Sequence, residues 1–192
     1  GRQRATDGEI YMPAQRAIWG LGPAELTLAD IAKEAGVTAG LLVQRFGSKR
    51  DLLLSLSQQF SGGTSEMFAE LRKGHRSPLA AIRAYSDCMA HMAATPAGFA
   101  RNFAYLQIDL TDPDFRKHLM KHAAASRIEI QKLIKEAIEA KELSPDTNAK
   151  QLARTIEAVV GGSMLSWAFY QEGPAAKWMR QDLDAILKPY VI

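Results

Sequence analysis

A short basic stretch of the chain carries side chains that could bind DNA bases and phosphates. Gln44 can form two hydrogen bonds with the edge of an adenine, and Arg45 can do so with a guanine. Residues 38–50 hold three basic residues and no acid, which favours phosphate neutralisation. The alternative is that Gln44 and Arg45 are merely solvated. The predicted DNA contacts are Thr27, Thr38, Ala39, Gly40, Val43, Gln44, Arg45 and Lys49.

The helices that must position these side chains are predicted from their cap residues. Thr27 precedes an apolar-periodic run and Asp30 follows three residues later, which is the spacing of a capping box. Gly36 stands where a left-handed residue usually ends a helix, and Thr38 can cap the next one. Ser48 opens a third helix with the same capping-box spacing. This order is typical of a helix-turn-helix, whose second helix enters the major groove of DNA.

A further helix is predicted ahead of this segment from apolar residues at helical spacing: Ile10, Ala14, Ala17, Ile18 and Leu21. Pro13 lies among them, and proline in a helix interior removes a hydrogen bond. The sequence leaves two possibilities open. Either the helix starts near Met12, with Pro13 in its first turn, or the helix is kinked.

The segment resembles the DNA-binding region of the TetR family of transcriptional regulators. The resemblance implies a one-component regulator, a repressor, which binds a palindromic operator in double-stranded DNA as a homodimer. It also implies that Lys49 contacts a phosphate. Val43 departs from the family pattern, which usually has an aromatic residue there, and valine could touch a thymine methyl instead. The matching positions, over roughly residues 8–54, are Ile10, Ala14, Gly22, Thr27, Ile31, Ala32, Ala35, Gly36, Val37, Thr38, Phe46, Ser48, Lys49, Leu52 and Leu53.

The rest of the chain carries helical patterns of apolar residues, so the predicted fold class is all-α. We predict a helix-turn-helix DNA-binding domain over residues 1–48 and a helical effector-binding and dimerisation domain over residues 49–192. Soft and aromatic side chains on facing helices could line a pocket for a small, largely apolar effector. The alternative is that they are ordinary core residues. They are Met67, Met89, Met92, Phe99, Phe103, Met120 and Trp167.

Two helices near the end of the chain, at about residues 149–170 and 175–189, are predicted to form the homodimer interface. The first has small residues that allow another helix to approach closely: Ala158, Gly161, Gly162 and Ser163. Its other positions are strongly apolar. The alternative is that this helix is simply the central one of the body.

Other functional classes find little support in the sequence. No nucleophile elbow, glycine-rich phosphate loop or metal signature is recognisable, so we expect neither an enzyme nor a cofactor. Cys88, on an apolar helix, is interpreted as a small buried residue. His118 and His122 have a spacing that can bind a metal, but neighbouring lysines oppose a cation and a third ligand is lacking, so no metal is expected.

The composition fits a regulator of this kind. The net charge is +3, and a dimer would double the modest basic surface of the helix-turn-helix. Apolar runs are too short to span a bilayer, and one cysteine cannot form an internal disulfide, so a cytoplasmic protein is expected. The alternative function is a helical ligand-binding module with weak or degenerate DNA binding, and the residue that favours it is Val43.

Overall fold

The structure is a computed structural model that describes residues 6–91 and 95–192. Helices form its regular structure, and an isolated antiparallel bridge pairs Leu143 with Val191. The prediction of an all-α fold is therefore confirmed. The helices are α1 Asp7–Gly20, α2 Leu28–Ala35, α3 Ala39–Phe46, α4 Lys49–Gly62, α5 Thr64–Gly74, α6 Pro78–His91, α7 Pro96–Thr111, α8 Pro113–Glu139, α9 Ala149–Tyr170 and α10 Ala175–Leu187.

Helix α1 starts before Met12, the start position in one of the two possibilities that the sequence left open. Thr6 caps it, because the backbone N–H of Glu9 donates to the Thr6 hydroxyl and the Glu9 carboxylate accepts from the Thr6 N–H. The helix begins at Asp7 rather than near Met12, so Pro13 lies in its interior. Proline there has no N–H to donate to the carbonyl of Glu9, and tertiary packing must offset that loss.

Two compact units divide the chain. The first contains Gly1–Ser61 and Ala100–Met120, and the second contains Gly62–Phe99 and Lys121–Ile192. The division therefore falls within α7 and within α8. The first unit includes α4, whereas the predicted domain boundary lies ahead of it, and the position of that boundary stays a prediction.

The first unit has its own apolar core, built from α1 to α4 with the start of α8. Its buried residues are Ile10, Ala14, Ile18, Leu26, Ile31, Ala32, Leu42, Leu52, Leu53, Leu56 and Phe115. Tyr105 and Ile108 of α7 pack against this cluster. Helices α1, α2 and α3 therefore share one core with α4, which fixes the direction in which α3 presents its outer face.

The second unit is a larger helical core in which α10 packs against both α6 and α9. Two ion pairs join α6 to α10: Arg83 with Asp184 at 2.7 Å, and Arg180 with Asp87. The indole N–H of Trp167 donates to the carbonyl of Gly173 at 2.9 Å. These contacts join α10 to α6, and join the end of α9 to the turn that precedes α10.

Candidate nucleic-acid interface

The start of α2 is fixed by its predicted capping box. The backbone N–H of Asp30 donates to the Thr27 hydroxyl at 3.2 Å, and the Asp30 carboxylate accepts from the Thr27 N–H at 2.9 Å. These hydrogen bonds lower the pKa of Asp30, the side-chain bond to Thr27 being the largest cause. Two donors at the helix start are thus satisfied by residues three positions apart.

The turn between α2 and α3 has the geometry that its glycine predicts. Gly36 is left-handed, with φ of 65°, and its N–H donates to the carbonyl of Lys33. The N–H of Val37 donates back to the carbonyl of Ala32 at 2.9 Å, which completes a Schellman motif. Thr38 then caps α3 by accepting from the N–H of Leu41 at 3.2 Å. The turn and both adjoining helix ends are therefore specified locally, as predicted.

Helix α3 has one face in the core and one face towards solvent. Leu42 is fully buried, and the ring of Phe46 packs on that of Tyr11, with ring centroids 6.2 Å apart. On the opposite face, Gly40, Val43 and Gln44 are exposed, Val43 to 49%. An exposed face with small and uncharged side chains can approach the base edges of a major groove closely.

Arg45 is exposed beside this outer face and lies close enough to Glu9 of α1 to influence its titration. The pKa of Glu9 is lowered mainly by its hydrogen bonds from Thr6, and the positive charge of Arg45 contributes further. Together with Thr27, Thr38, Gly40 and Gln44, Arg45 belongs to the predicted contacts that the structure leaves exposed. Ala39, at the first position of α3, is half-buried.

Lys49 has a structural role that the sequence did not reveal. Its ammonium group donates to the carbonyls of Pro23, at 3.0 Å, and Leu26, at 2.7 Å. The lysine thereby joins the start of α4 to the segment between α1 and α2. An ammonium has three N–H donors, so a third remains for a phosphate oxygen.

Arg50, the third basic residue of this stretch, is bound by carboxylates of the same unit. Its guanidinium forms a fork with Asp112 and a further hydrogen bond to Asp114, each at 2.8 Å at the closest. It also lies 5.6 Å from the ring centroid of Phe115. The hydrogen bond from Arg50 is the main cause that lowers the pKa of Asp112. Asp112 and Asp114 lie on either side of Pro113, at the start of α8.

Two family models match most of the chain. One, described as "Bacterial regulatory proteins, tetR family", matches residues 14–56, which include the helix-turn-helix. The other, described as "Tetracyclin repressor-like, C-terminal domain", matches residues 79–183. The chain belongs to the TetR family. It is therefore a transcriptional regulator with a DNA-binding part and a ligand-binding part, and members of this family act as DNA-binding regulators rather than as enzymes.

Individual relatives agree with this family assignment. The HTH-type transcriptional regulator AcrR of Shigella flexneri is 25% identical over 97% of this chain and 86% of its own length. A TetR transcription regulator from Haloarcula marismortui has a similar structure, with a TM-score of 0.75 and 17% identity over 97% of this chain and 98% of that one. The regulator FadR of Bacillus subtilis, solved with stearoyl-CoA, gives a TM-score of 0.70 at 17% identity over 94% and 97% of the chains.

One interpretation of this TetR-family chain was wrong. Cys88 is exposed rather than buried in the core. Partial burial, and then the charge of Asp87, raise the pKa of its thiol, so the nucleophilic thiolate is disfavoured. In the part of the chain that the structure describes, no helix is both long and apolar enough to cross a membrane.

The candidate effector residues fall in both compact units. Met67, Met89 and Phe99 are half-buried against the core of the second unit, and Trp167 is buried within it. The first unit contains the other two described candidates, and both are exposed: Phe103, to 49%, and Met120, to 63%. Met92 lies outside the described residues. The structure therefore gathers four of the seven candidates around one core, and a pocket that they line stays a prediction.

The predicted dimer helices present an open groove of about 450 Å³ on the second unit. It is lined by Ala158, Val159, Gly162, Ser163, Ser166, Asp182, Ala185 and Ile186. At its base, the Ser163 hydroxyl donates to the Asp182 carboxylate at 2.5 Å. Phe169, near the end of α9, is 73% exposed. A shallow apolar groove of this kind suits the close approach of another helix.

Proposed function

We propose that this TetR-family protein is a one-component repressor. A homodimer binds a palindromic operator through α3, and a small, largely apolar effector in the second unit releases the DNA. The observation that carries the proposal is the outer face of α3, which is exposed and held by caps at Thr27 and Thr38. Such a regulator acts on the chromosome and is therefore placed in the cytoplasm.

The predicted base contacts lie on and beside that face. Gln44 pairs with adenine and Arg45 with guanine, while Val43 packs against a thymine methyl. Gly40 and Ala39, at the start of α3, allow a phosphate to approach the backbone N–H groups that begin the helix. Thr27 and Thr38 contact the DNA backbone beside their capping roles, and so does Lys49 through its third N–H.

Dimerisation through α9 and α10 supports palindrome recognition. A single short recognition helix contacts few base pairs, so a two-fold dimer reads two half-sites about one DNA turn apart. The exposed small residues Ala158, Gly161 and Gly162 favour close helix packing at this interface. Phe169 and the groove beside Asp182 would be covered in the dimer.

Release by an effector requires a difference in affinity. The effector must bind more tightly to a state whose two helix-turn-helix segments no longer match the half-site spacing. The apolar core of the second unit and its half-buried methionines support a largely apolar ligand. The similar regulator FadR of Bacillus subtilis is solved with stearoyl-CoA, a ligand with a long apolar chain.

A second candidate is a ligand-binding module with weak or degenerate DNA binding. Val43 favours it, because valine cannot donate a hydrogen bond to a phosphate. The ion pairs of Arg50 favour it as well, because Asp112 and Asp114 neutralise a basic residue of 38–50.

Selection from a randomised double-stranded DNA library, at two salt concentrations, separates the two candidates. We expect enrichment of a palindrome that survives the higher salt concentration. Arg45→Ala should relax the preference at one base pair per half-site, with a loss of about 1–3 kcal/mol of discrimination. Lys33→Ala, a change of an exposed basic residue on α2, serves as the control for charge alone. Weak binding without sequence preference, lost at the higher salt, would instead support the ligand-binding module.

A further inference from the structure

Two serine hydroxyls in the second unit are buried without a hydrogen-bond partner among the described residues. Ser86, on α6, is 0% exposed, and Ser126, on α8, is 3% exposed. A buried hydroxyl that lacks a partner reduces the stability of the fold, so few such groups occur in native proteins. Two of them on different helices of one core suggest that a ligand supplies the missing partner.

The register of α5 against α8 shows where Ser126 lies. The Thr64 hydroxyl is 2.8 Å from Nδ1 of His122. About two turns further along both helices, Arg72 donates to the Glu129 carboxylate at 2.7 Å. The two contacts advance in the same direction along both helices, so α5 and α8 run side by side in parallel.

The residues midway between those two contacts show that the two serines lie at the same height along the helices. Phe68 on α5 and Ser126 on α8 each lie one turn beyond the first contact. The ring of Phe68 stacks on that of Tyr85 on α6, with centroids 5.1 Å apart. Ser86 directly follows Tyr85. Both hydroxyls therefore lie at the level of this aromatic pair.

The charged groups around this level are balanced within the protein. Arg127 pairs with Glu157 of α9, and Arg72 pairs with two glutamates of α8. Burial lowers the pKa of His122, and burial together with Glu157 raises that of Tyr85 to about 12, so both are neutral at pH 7. Nη2 of Arg72 is another buried donor without a partner among the described residues. This environment favours a neutral ligand that accepts hydrogen bonds.

We propose that this level is the effector site, and that the effector is a neutral, largely apolar molecule with an uncharged oxygen that accepts hydrogen bonds from Ser86 and Ser126. The inference rests on the proposed function. A carbonyl oxygen has two lone pairs, one for each hydroxyl, and the rings of Phe68 and Tyr85 contact the apolar body. Phe68 is fully buried, so the ligand binds a state in which the aromatic pair has opened. Two half-buried methionines beside the pair can adapt to the ligand: Met67 and Met89.

The first test measures thermal unfolding of the full chain without ligand. Ser86→Ala and Ser126→Ala each remove an unpartnered hydroxyl, so we expect Tm to rise by about 2 °C. The matched control is Ser77→Ala, because the Ser77 hydroxyl accepts from the N–H of Ala80 at 3.1 Å at the start of the same helix as Ser86. Its Tm should fall by a similar amount. If both core variants lower Tm as the control does, their hydroxyls have partners and the proposal fails.

The second test uses three small probes with one ring in common: acetophenone, ethylbenzene and benzoate. At equal concentration, acetophenone should raise Tm of the unchanged protein more than the other two, because only it combines neutrality with a carbonyl. Ser86→Ala and Ser126→Ala should each abolish this advantage, and Ser77→Ala should retain it. The proposal is overturned if no probe raises Tm, if ethylbenzene or benzoate equals acetophenone, or if the advantage persists in both core variants.

The DNA selection described above distinguishes failure of this site from failure of the proposed function. A protein that enriches a palindrome but does not prefer acetophenone remains a regulator with its effector site elsewhere. A protein that prefers acetophenone through Ser86 and Ser126 but enriches no DNA sequence has the site without the proposed regulatory function.

Discussion

Two buried hydroxyls in the core of the second unit differ from the hydroxyls at the helix starts of the helix-turn-helix. Those of Thr27, Thr38 and Ser48 accept hydrogen bonds from backbone N–H groups at helix starts. Those of Ser86 and Ser126 are buried, and the described residues offer them no partner. Local contacts thus order the helix-turn-helix, whereas under the proposal above the hydroxyls of Ser86 and Ser126 in the second core bind a ligand.

The largest expected effect comes from removing the ammonium contacts of Lys49. Lys49→Met leaves the carbonyls of Pro23 and Leu26 without this donor, and we expect a loss of about 2 kcal/mol in the free energy of unfolding. Urea unfolding in the absence of DNA measures it. Lys33→Met, at an exposed position of α2, controls for the loss of charge. Equal stability of the two variants would mean that local caps alone order this segment.

Removal of a single hydroxyl should change the stability by a smaller amount, and the sign of the change should differ between the two regions. Thr38→Ala removes the cap of α3 and should lower the free energy of unfolding by about 1 kcal/mol. Ser86→Ala should raise Tm, as argued above. Thr38→Ser retains the hydroxyl and should preserve most of the stability. Thermal unfolding of the three variants measures this contrast. A lower Tm in both alanine variants would contradict the expected difference in sign.

The smallest effect tests a carboxylate of the first unit that lies outside the helix-turn-helix. Burial raises the pKa of Asp109 from 3.8 to about 6. Between these two values the folded protein binds more protons than the unfolded chain, so its stability falls as pH rises. Asp109→Asn should remove this fall and stabilise the protein at pH 7 by less than about 1 kcal/mol, because solvent screens a half-exposed group.

The pH dependence of urea unfolding, from pH 4 to pH 7, measures that change. Asp146→Asn, at an exposed position between α8 and α9, serves as the control and should leave the slope unchanged. A slope that Asp109→Asn does not alter would show that solvent reaches this carboxylate freely.

The sequence was sufficient for features that depend on neighbouring residues. The caps at Thr27 and Thr38 and the turn at Gly36 involve residues within five positions of one another, so residue types and spacing reveal them. The contacts of Lys49 with Leu26 and of Arg50 with Asp112 join residues 23 and 62 positions apart. Such pairs depend on tertiary packing, which a single sequence does not encode in any local pattern.

The same limit applies to the candidate effector residues. Phe103 and Met120 were chosen because one is aromatic and the other is a methionine, but both are exposed. Helical periodicity alone does not say which face of a helix meets a neighbouring helix. Ser86 and Ser126 carry no sequence signal at all. They stand out because their hydroxyls are buried without a hydrogen-bond partner. That property depends on how the surrounding helices pack.

The ion pairs of Arg50 also bear on how the protein competes for its target among all other DNA in a cell. Attraction to arbitrary DNA comes largely from the counterions that basic side chains release from phosphates. The carboxylates of Asp112 and Asp114 already neutralise the charge of Arg50, so that general attraction is reduced. A chromosome offers on the order of a million or more competing sites. Under the proposed function, a regulator retained only weakly by those sites occupies its operator at a low copy number.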